Sequence, residues 1–94
     1  MRNYELTVVF NPEITEEELP DEIEKVSQFI TQKGGSVDEV NRWGRRKLAY
    51  PVKHFSEGNY TLTRFKFEPK AARELEASLY TSEKILRHLL VRLD

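Results

Sequence analysis

Residues 4 to 10 set Tyr4, Leu6, Val8 and Phe10 against Glu5, Thr7 and Val9, a period of two that predicts a strand with one buried face. Asn11-Pro12 ends it, because the residue before a proline is driven to extended geometry and proline has no amide for a ladder. Leu19, Ile23, Val26 and Ile30 then recur at helical spacing. With Thr15 and Glu18 as a capping box and Gly34-Gly35 as a stop, they predict a helix over roughly 16 to 33. Pro20 falls just beyond the first turn of that helix, where it leaves the Glu16 carbonyl without an amide partner and predicts a local kink or a tight first turn.

Ser36 to Val52 reads as an irregular strand: Val37 and Val40 are out of phase, Leu48, Tyr50 and Val52 share a face, and Gly44 marks a bulge. A turn through Lys53 to Asn59 leads into a strand from Tyr60 to Glu68, and the two strands are expected to pair as a hairpin. Phe65 and Phe67 are placed in the core, with Thr61 and Thr63 in phase. The opposite face then carries Tyr60, Leu62, Arg64 and Lys66, which suits a partner or a nucleic acid better than bare water, the alternative being an ordinary open sheet face with scattered apolar groups. Pro69 opens a second amphipathic helix with Ala72, Leu75 and Leu79 on one side, ending near Thr81-Ser82. In the last strand, Ile85 to Leu93, Leu86, His88 and Leu90 oppose Arg87, Leu89 and Val91, so both faces are partly apolar. His88 reads as a packed or rim histidine rather than a ligand.

Strand, helix, strand, strand, helix, strand is the split β-α-β, or ferredoxin-like, arrangement of the α+β class. Strands one and three are expected at the centre, two and four at the edges, with both helices on one face and the other open. Ninety-four residues allow one domain, 1–94.

Charge changes this picture more than composition does. Arg42, Arg45, Arg46, Lys47 and Lys53 fall between Arg42 and Ser56 with no acid among them, whereas Glu13 to Glu24 holds seven acids and no base. Outside that acidic segment fifteen bases face nine acids, a formal charge of +6 hidden under a net charge of −1. One end of the molecule is therefore expected to attract phosphate and another to repel it. Absence of cysteine removes disulfides and thiol chemistry and fits a reducing compartment. No apolar run reaches the roughly 18 residues of a membrane span, and Met1-Arg2-Asn3 leads straight into a strand pattern, so a soluble, unprocessed protein without a membrane partner is expected.

Catalysis has little to work with. His54 and His88 have no nucleophile motif beside them, a metal site or other cofactor is not expected, and the only paired glycines follow a helix instead of preceding one. What remains is the basic stretch, where arginines can grip phosphate bidentately and stack on bases. Five bases on an edge hairpin also serve simply to block edge-to-edge pairing.

Trp43-Gly44-Arg45-Arg46-Lys47-Leu48-Ala49-Tyr50-Pro51-Val52 closely resembles the signature of the bacterial small-subunit ribosomal protein six family. Met1-Arg2-Asn3-Tyr4-Glu5-Leu6, Asn11-Pro12, Gly34-Gly35 and Glu57-Gly58-Asn59-Tyr60 are similar to it too, so the resemblance covers nearly the whole chain. It implies a ferredoxin-like fold and a non-catalytic, structural role in the cytoplasmic ribosome. It also implies binding to small-subunit ribosomal RNA in company with small-subunit ribosomal protein eighteen. Two features depart from the family pattern: Pro20 sits inside the first helix, and the sequence stops at Asp94 without the charged tail of many members.

On this reading the phosphate-contacting candidates are Arg2, Arg45, Arg46, Lys47, Lys53, Arg87 and Arg92. The apolar anchors for the protein partner are Leu48, Tyr50, Tyr60, Leu62, Leu89 and Val91, on the open face and the second-strand edge, and the free protein is expected to be a monomer. The alternative is a ferredoxin-like regulatory domain that dimerises through its sheet or binds a small effector. An acyl-phosphate hydrolase is a more distant third, because the acidic loop after the first strand would repel an anionic substrate.

Overall fold

The alternation of Tyr4, Leu6, Val8 and Phe10 does bury one face of β1 (Arg2–Phe10), and everything else in the chain packs around that row. The computed structural model describes residues 1–94, with α1 (Leu19–Gln32), β2 (Ser36–Val52), β3 (Phe55–Phe67), α2 (Pro69–Tyr80) and β4 (Ile85–Arg92) following β1. The sheet is antiparallel in the order β2-β3-β1-β4, so the expected ferredoxin-like topology, with strands one and three central, is borne out. No helix is long and apolar enough to cross a membrane.

Register sorts the side chains into two layers. Tyr4 stands opposite Phe65 and Leu6 opposite Thr63 on the buried face, joined there by Phe67. Tyr4 stacks on Phe65 at 5.7 Å and Phe65 meets Phe67 edge-on at 5.8 Å. The helix stripes Leu19, Ile23, Val26, Ile30 and Ala72, Leu75, Leu79 close over them. Each large apolar side chain so buried contributes about 1.5–3 kcal/mol against the entropy of ordering the chain.

Pro20 does not kink a longer helix. The residues before it form a separate turn, in which the Glu18 amide donates to the Thr15 hydroxyl at 3.2 Å and the Leu19 amide to the Thr15 carbonyl at 2.9 Å. The helix proper starts at Leu19, with Pro20 in its opening turn, where a missing amide costs nothing because no intrahelical acceptor awaits it. The capping box therefore closes a turn instead of a helix. At the other end the Gly35 amide donates to Ile30 O at 2.8 Å and the Gly34 amide to Thr31 O at 3.2 Å, a Schellman closure with Gly34 at φ 89°. Gly35 is fixed by crowding: a Cβ there would sit 2.7 Å from both Ile30 Cγ2 and Phe67 Cδ1.

The β2-β3 hairpin is longer than the sequence pattern implies. Its turn is Lys53-His54 alone, at φ 50° and 71°, with Val52 paired to Phe55, so Phe55 to Asn59 belong to β3 and not to a loop. Positive φ at both positions is the type I′ geometry whose twist matches a hairpin; neither residue is the usual Asn or Gly, which is why the turn was not visible. Register shifts lie between Val37 and Glu39, between Arg42 and Gly44, and between Lys47 and Val52. The first explains why Val37 and Val40 look out of phase: both stand opposite buried positions, Phe65 and Thr63.

Candidate nucleic-acid and partner interface

The hairpin curls over the end of the open face, and Gly58 lets it do so. A Cβ at Gly58 would collide with Val9 Cγ1 and come 3.2 Å from Phe10 O, so only glycine admits β3 this close to β1. Three contacts then hold the tip against β4: Lys53 Nζ donates to Ile85 O at 3.3 Å, Arg87 Nη1 donates to the Tyr50 hydroxyl at 3.3 Å, and the Arg87 guanidinium lies 5.8 Å over the Tyr50 ring. Tyr50 and Leu89 are 59% and 58% exposed, and Leu48 and Tyr60 are half-buried. Val91 shares the face with Leu89, opposite Glu5 and Thr7.

Leu62 must be removed from the partner anchors. It stands on the open face opposite Thr7 and Asn41, yet it is only 6% exposed. Val9, Leu62 and Leu86 are buried outside the main cluster, with Val9 and Leu86 both against Gly58, and a period-two reading assigns Val9 and Leu62 to the surface. The signal that could have shown this burial is Val9, an apolar residue in the polar phase of β1.

Strand alternation splits the basic triplet. Arg45, opposite Asn59, turns to the helix side, where Nη2 donates to Pro12 O at 2.8 Å and Nη1 lies 3.6 Å from Glu57. Arg46, opposite Gly58, shares the open face and stacks 5.5 Å from the Trp43 ring. Six further cations, Lys25, Lys33, Arg42, Arg64, Lys66 and Lys84, each pair with a carboxylate, whereas Lys70 and Arg73 of α2 do not. Arg46, Lys47, Lys53 and Arg87 pair with none, and all four are exposed at the hairpin end of the sheet. Arg2 and Arg92 lie at the other end of β1, roughly 25 Å away at about 3.3 Å per residue, next to Asp94. The seven candidates thus form two groups, not one patch.

The expected end-to-end charge separation is not what the fold builds. Glu16 reaches Arg42 at 3.9 Å and Glu18 and Glu22 reach Lys84, so the acidic segment lies at the same end as the hairpin, but in the helix layer. The acids lie with α1 in the helix layer, while the unpaired Arg46 and Arg87 lie on the open face, opposite Gly58 and Val9.

Asp94 ties β4 to β1. The Asn3 amide donates to Oδ1 at 3.0 Å and Asn3 Nδ2 to Oδ2 at 2.9 Å. The backbone donor, helped by the side-chain one and by Arg2 and Arg92, holds this carboxyl below its ordinary value. His88 is a packed histidine, as expected: Nε2 lies 3.0 Å from Glu76 and the ring meets Tyr80 edge-on at 4.7 Å.

An antiparallel α+β sheet with helices on one side, a basic hairpin and a partly apolar open face defines a domain of the ferredoxin-like class. Its residues 3–92 match the model of the ribosomal protein S6 family. The chain belongs to that family, whose members are structural components of the small ribosomal subunit, and its place is with the ribosome in the cytoplasm. Small ribosomal subunit protein bS6 of Moorella thermoacetica is 42% identical over 94 residues, covering all of this chain and 96% of that one. The bS6 of Heliobacterium modesticaldum is 45% identical over 94 residues, covering all of this chain and 98% of that one. In structure, 30S ribosomal protein S6 from Thermotoga maritima superposes with a TM-score of 0.93 at 34% identity, over 98% of this chain and 87% of that one. An Arabidopsis thaliana protein at 12% identity and a TM-score of 0.58 shares the fold alone.

Proposed function

We propose that the chain, acting as a single domain and monomeric when free, binds small-subunit ribosomal RNA together with small-subunit ribosomal protein eighteen. Phosphate is met at the hairpin end by Arg46, Lys47, Lys53 and Arg87, while Arg2 and Arg92 form a second, separate contact. The observation that carries this reading is the cluster of unpaired cations at the hairpin end: Arg46, Lys47, Lys53 and Arg87 stand together without a carboxylate, whereas Lys25, Arg64, Lys66 and Lys84 are neutralised by neighbouring ones and the free Lys70 and Arg73 lie apart on α2. An unpaired surface cation releases counterions when it meets phosphate, whereas a paired one must first give up its carboxylate. Arg45, already held by Glu57 and Pro12, serves the hairpin instead. Tyr50, Leu89 and Val91, with the half-buried Leu48 and Tyr60, supply the apolar contacts for the protein partner.

Stepwise reconstitution tests it. The chain is added to small-subunit ribosomal RNA with and without protein eighteen, and the complexes are sedimented. Retention that requires or is strongly enhanced by protein eighteen is expected; the chain's failure to sediment with RNA under either condition, or a stable homodimer, would contradict it.

A further inference from the structure

Tyr80, the last residue of α2, is 78% exposed, more than any other large hydrophobic residue, and lies outside the cation clusters. It forms one wall of a cleft of about 320 Å³ between the end of α2 and the hairpin tip. The floor is apolar, made by the buried Leu79, Ile85 and Leu86. His88 stands edge-on to the Tyr80 ring at 4.7 Å and 77°, and its own Nε2 is held at 3.0 Å by Glu76, so the wall is braced and the nearest carboxylate is already engaged. Lys53 and Arg87 line the cleft on the hairpin and β4 side. Each spends one donor on an anchor, Ile85 O and the Tyr50 hydroxyl respectively, which leaves further N–H groups free at a fixed position.

An exposed aromatic face, an apolar floor and two anchored cations are the parts that hold one nucleotide out of its stack: ring on ring, phosphate on cation. The volume is at the small end for ligand sites, enough for a base but not for a duplex. We propose that this cleft receives a single unpaired nucleotide of the bound RNA, with its base stacked on Tyr80 and its phosphate between Lys53 and Arg87. The proposal rests on the RNA-binding reading above and adds to it a base-stacking residue that is not basic. A free mononucleotide has the same chemistry, and the test separates the two sources.

The isotope-labelled protein is titrated at low salt with hexauridylate, and separately with uridine monophosphate, while amide shifts are followed by NMR. Wild type is expected to show shifts at Lys53, Tyr80, Arg87 and His88 with hexauridylate and much weaker binding of the mononucleotide. Tyr80→Ala should weaken hexauridylate binding about tenfold, the scale of one lost base stack, while Tyr80→Phe retains it. Because Tyr80 is exposed, both variants should melt as wild type does, which keeps a binding loss interpretable. Unchanged affinity in Tyr80→Ala, shifts confined to residues outside the cleft, no binding of hexauridylate, or equally tight binding of the mononucleotide would each overturn the assignment. None of these results touches the ribosomal reading, which stands or falls on reconstitution with ribosomal RNA and protein eighteen.

Discussion

The Arg87 guanidinium lies 5.8 Å over the ring of Tyr50 and donates to its hydroxyl at 3.3 Å, joining the tip of the hairpin to the edge strand β4 across the end of the open face. Residues 37 apart in sequence thereby fix where the unpaired cations stand relative to the exposed Leu89 and Val91. An exposed cation-ring contact of this kind is worth about 0.5–1 kcal/mol. Tyr50→Ala should therefore lower stability only slightly while releasing the tip. Hydrogen exchange is expected to accelerate in residues 47–56 and stay unchanged in β1; protection equal to wild type at the tip would show that Lys53 and the turn hold it alone.

Burial of Leu62 sets a second expectation. Phe65→Ala removes a ring packed on Tyr4 and Phe67 and should cost about 3–5 kcal/mol, and Leu62→Ala, on the opposite face, should cost about 2–4 kcal/mol in chemical denaturation. A cost under about 1 kcal/mol for Leu62 would mean that its burial on the open side does not exclude water.

Pro20 in the first turn of α1 is favourable rather than strained, because it restricts the unfolded chain and forfeits no hydrogen bond. Pro20→Ala should leave the thermal midpoint unchanged or lower it by an amount equivalent to about 0.5–1 kcal/mol. A clear rise would show that α1 begins upstream, at Glu16.

Most of the fold was legible because α1 and α2 each carry one clean period, β1 and β3 carry one broken only at Val9 and Leu62, and the glycine pair closes α1 as its spacing implies. The hairpin was only half legible. Its turn residues, Lys53 and His54, have none of the usual turn chemistry, and its three register shifts scramble the alternation of β2. The candidate site was legible as a set of cations but not as a surface. Which of Arg45, Arg46 and Lys47 is free depends on Glu57 and the Pro12 carbonyl, contacts made by the curl of the hairpin that no local pattern encodes.

Asp94 makes stability depend on acid. Its carboxyl is held below its ordinary value by the Asn3 amide in the folded state, so its contribution is complete above the unfolded-state value and is lost as pH falls through the folded one. The melting difference between wild type and Asp94→Ala should therefore be present at neutral pH and close in the acid range below about pH 4. A difference that does not vary with pH would assign the contact to shape instead of charge.

The division between paired and unpaired cations is the core of the account, and the salt dependence of RNA binding measures it directly. Arg46, Lys47 and Lys53 are replaced together by Gln, and Arg45 alone by Gln, and each variant is bound to small-subunit ribosomal RNA with protein eighteen across a range of salt. Each lost phosphate contact flattens the slope of log affinity against log salt by about 0.7–0.9, so the triple variant should lose roughly two to three units with a near-normal melt. Arg45→Gln should leave the slope nearly unchanged and lower the melting midpoint slightly. An unaltered slope in the triple variant, or a larger change from Arg45 alone, would contradict the account.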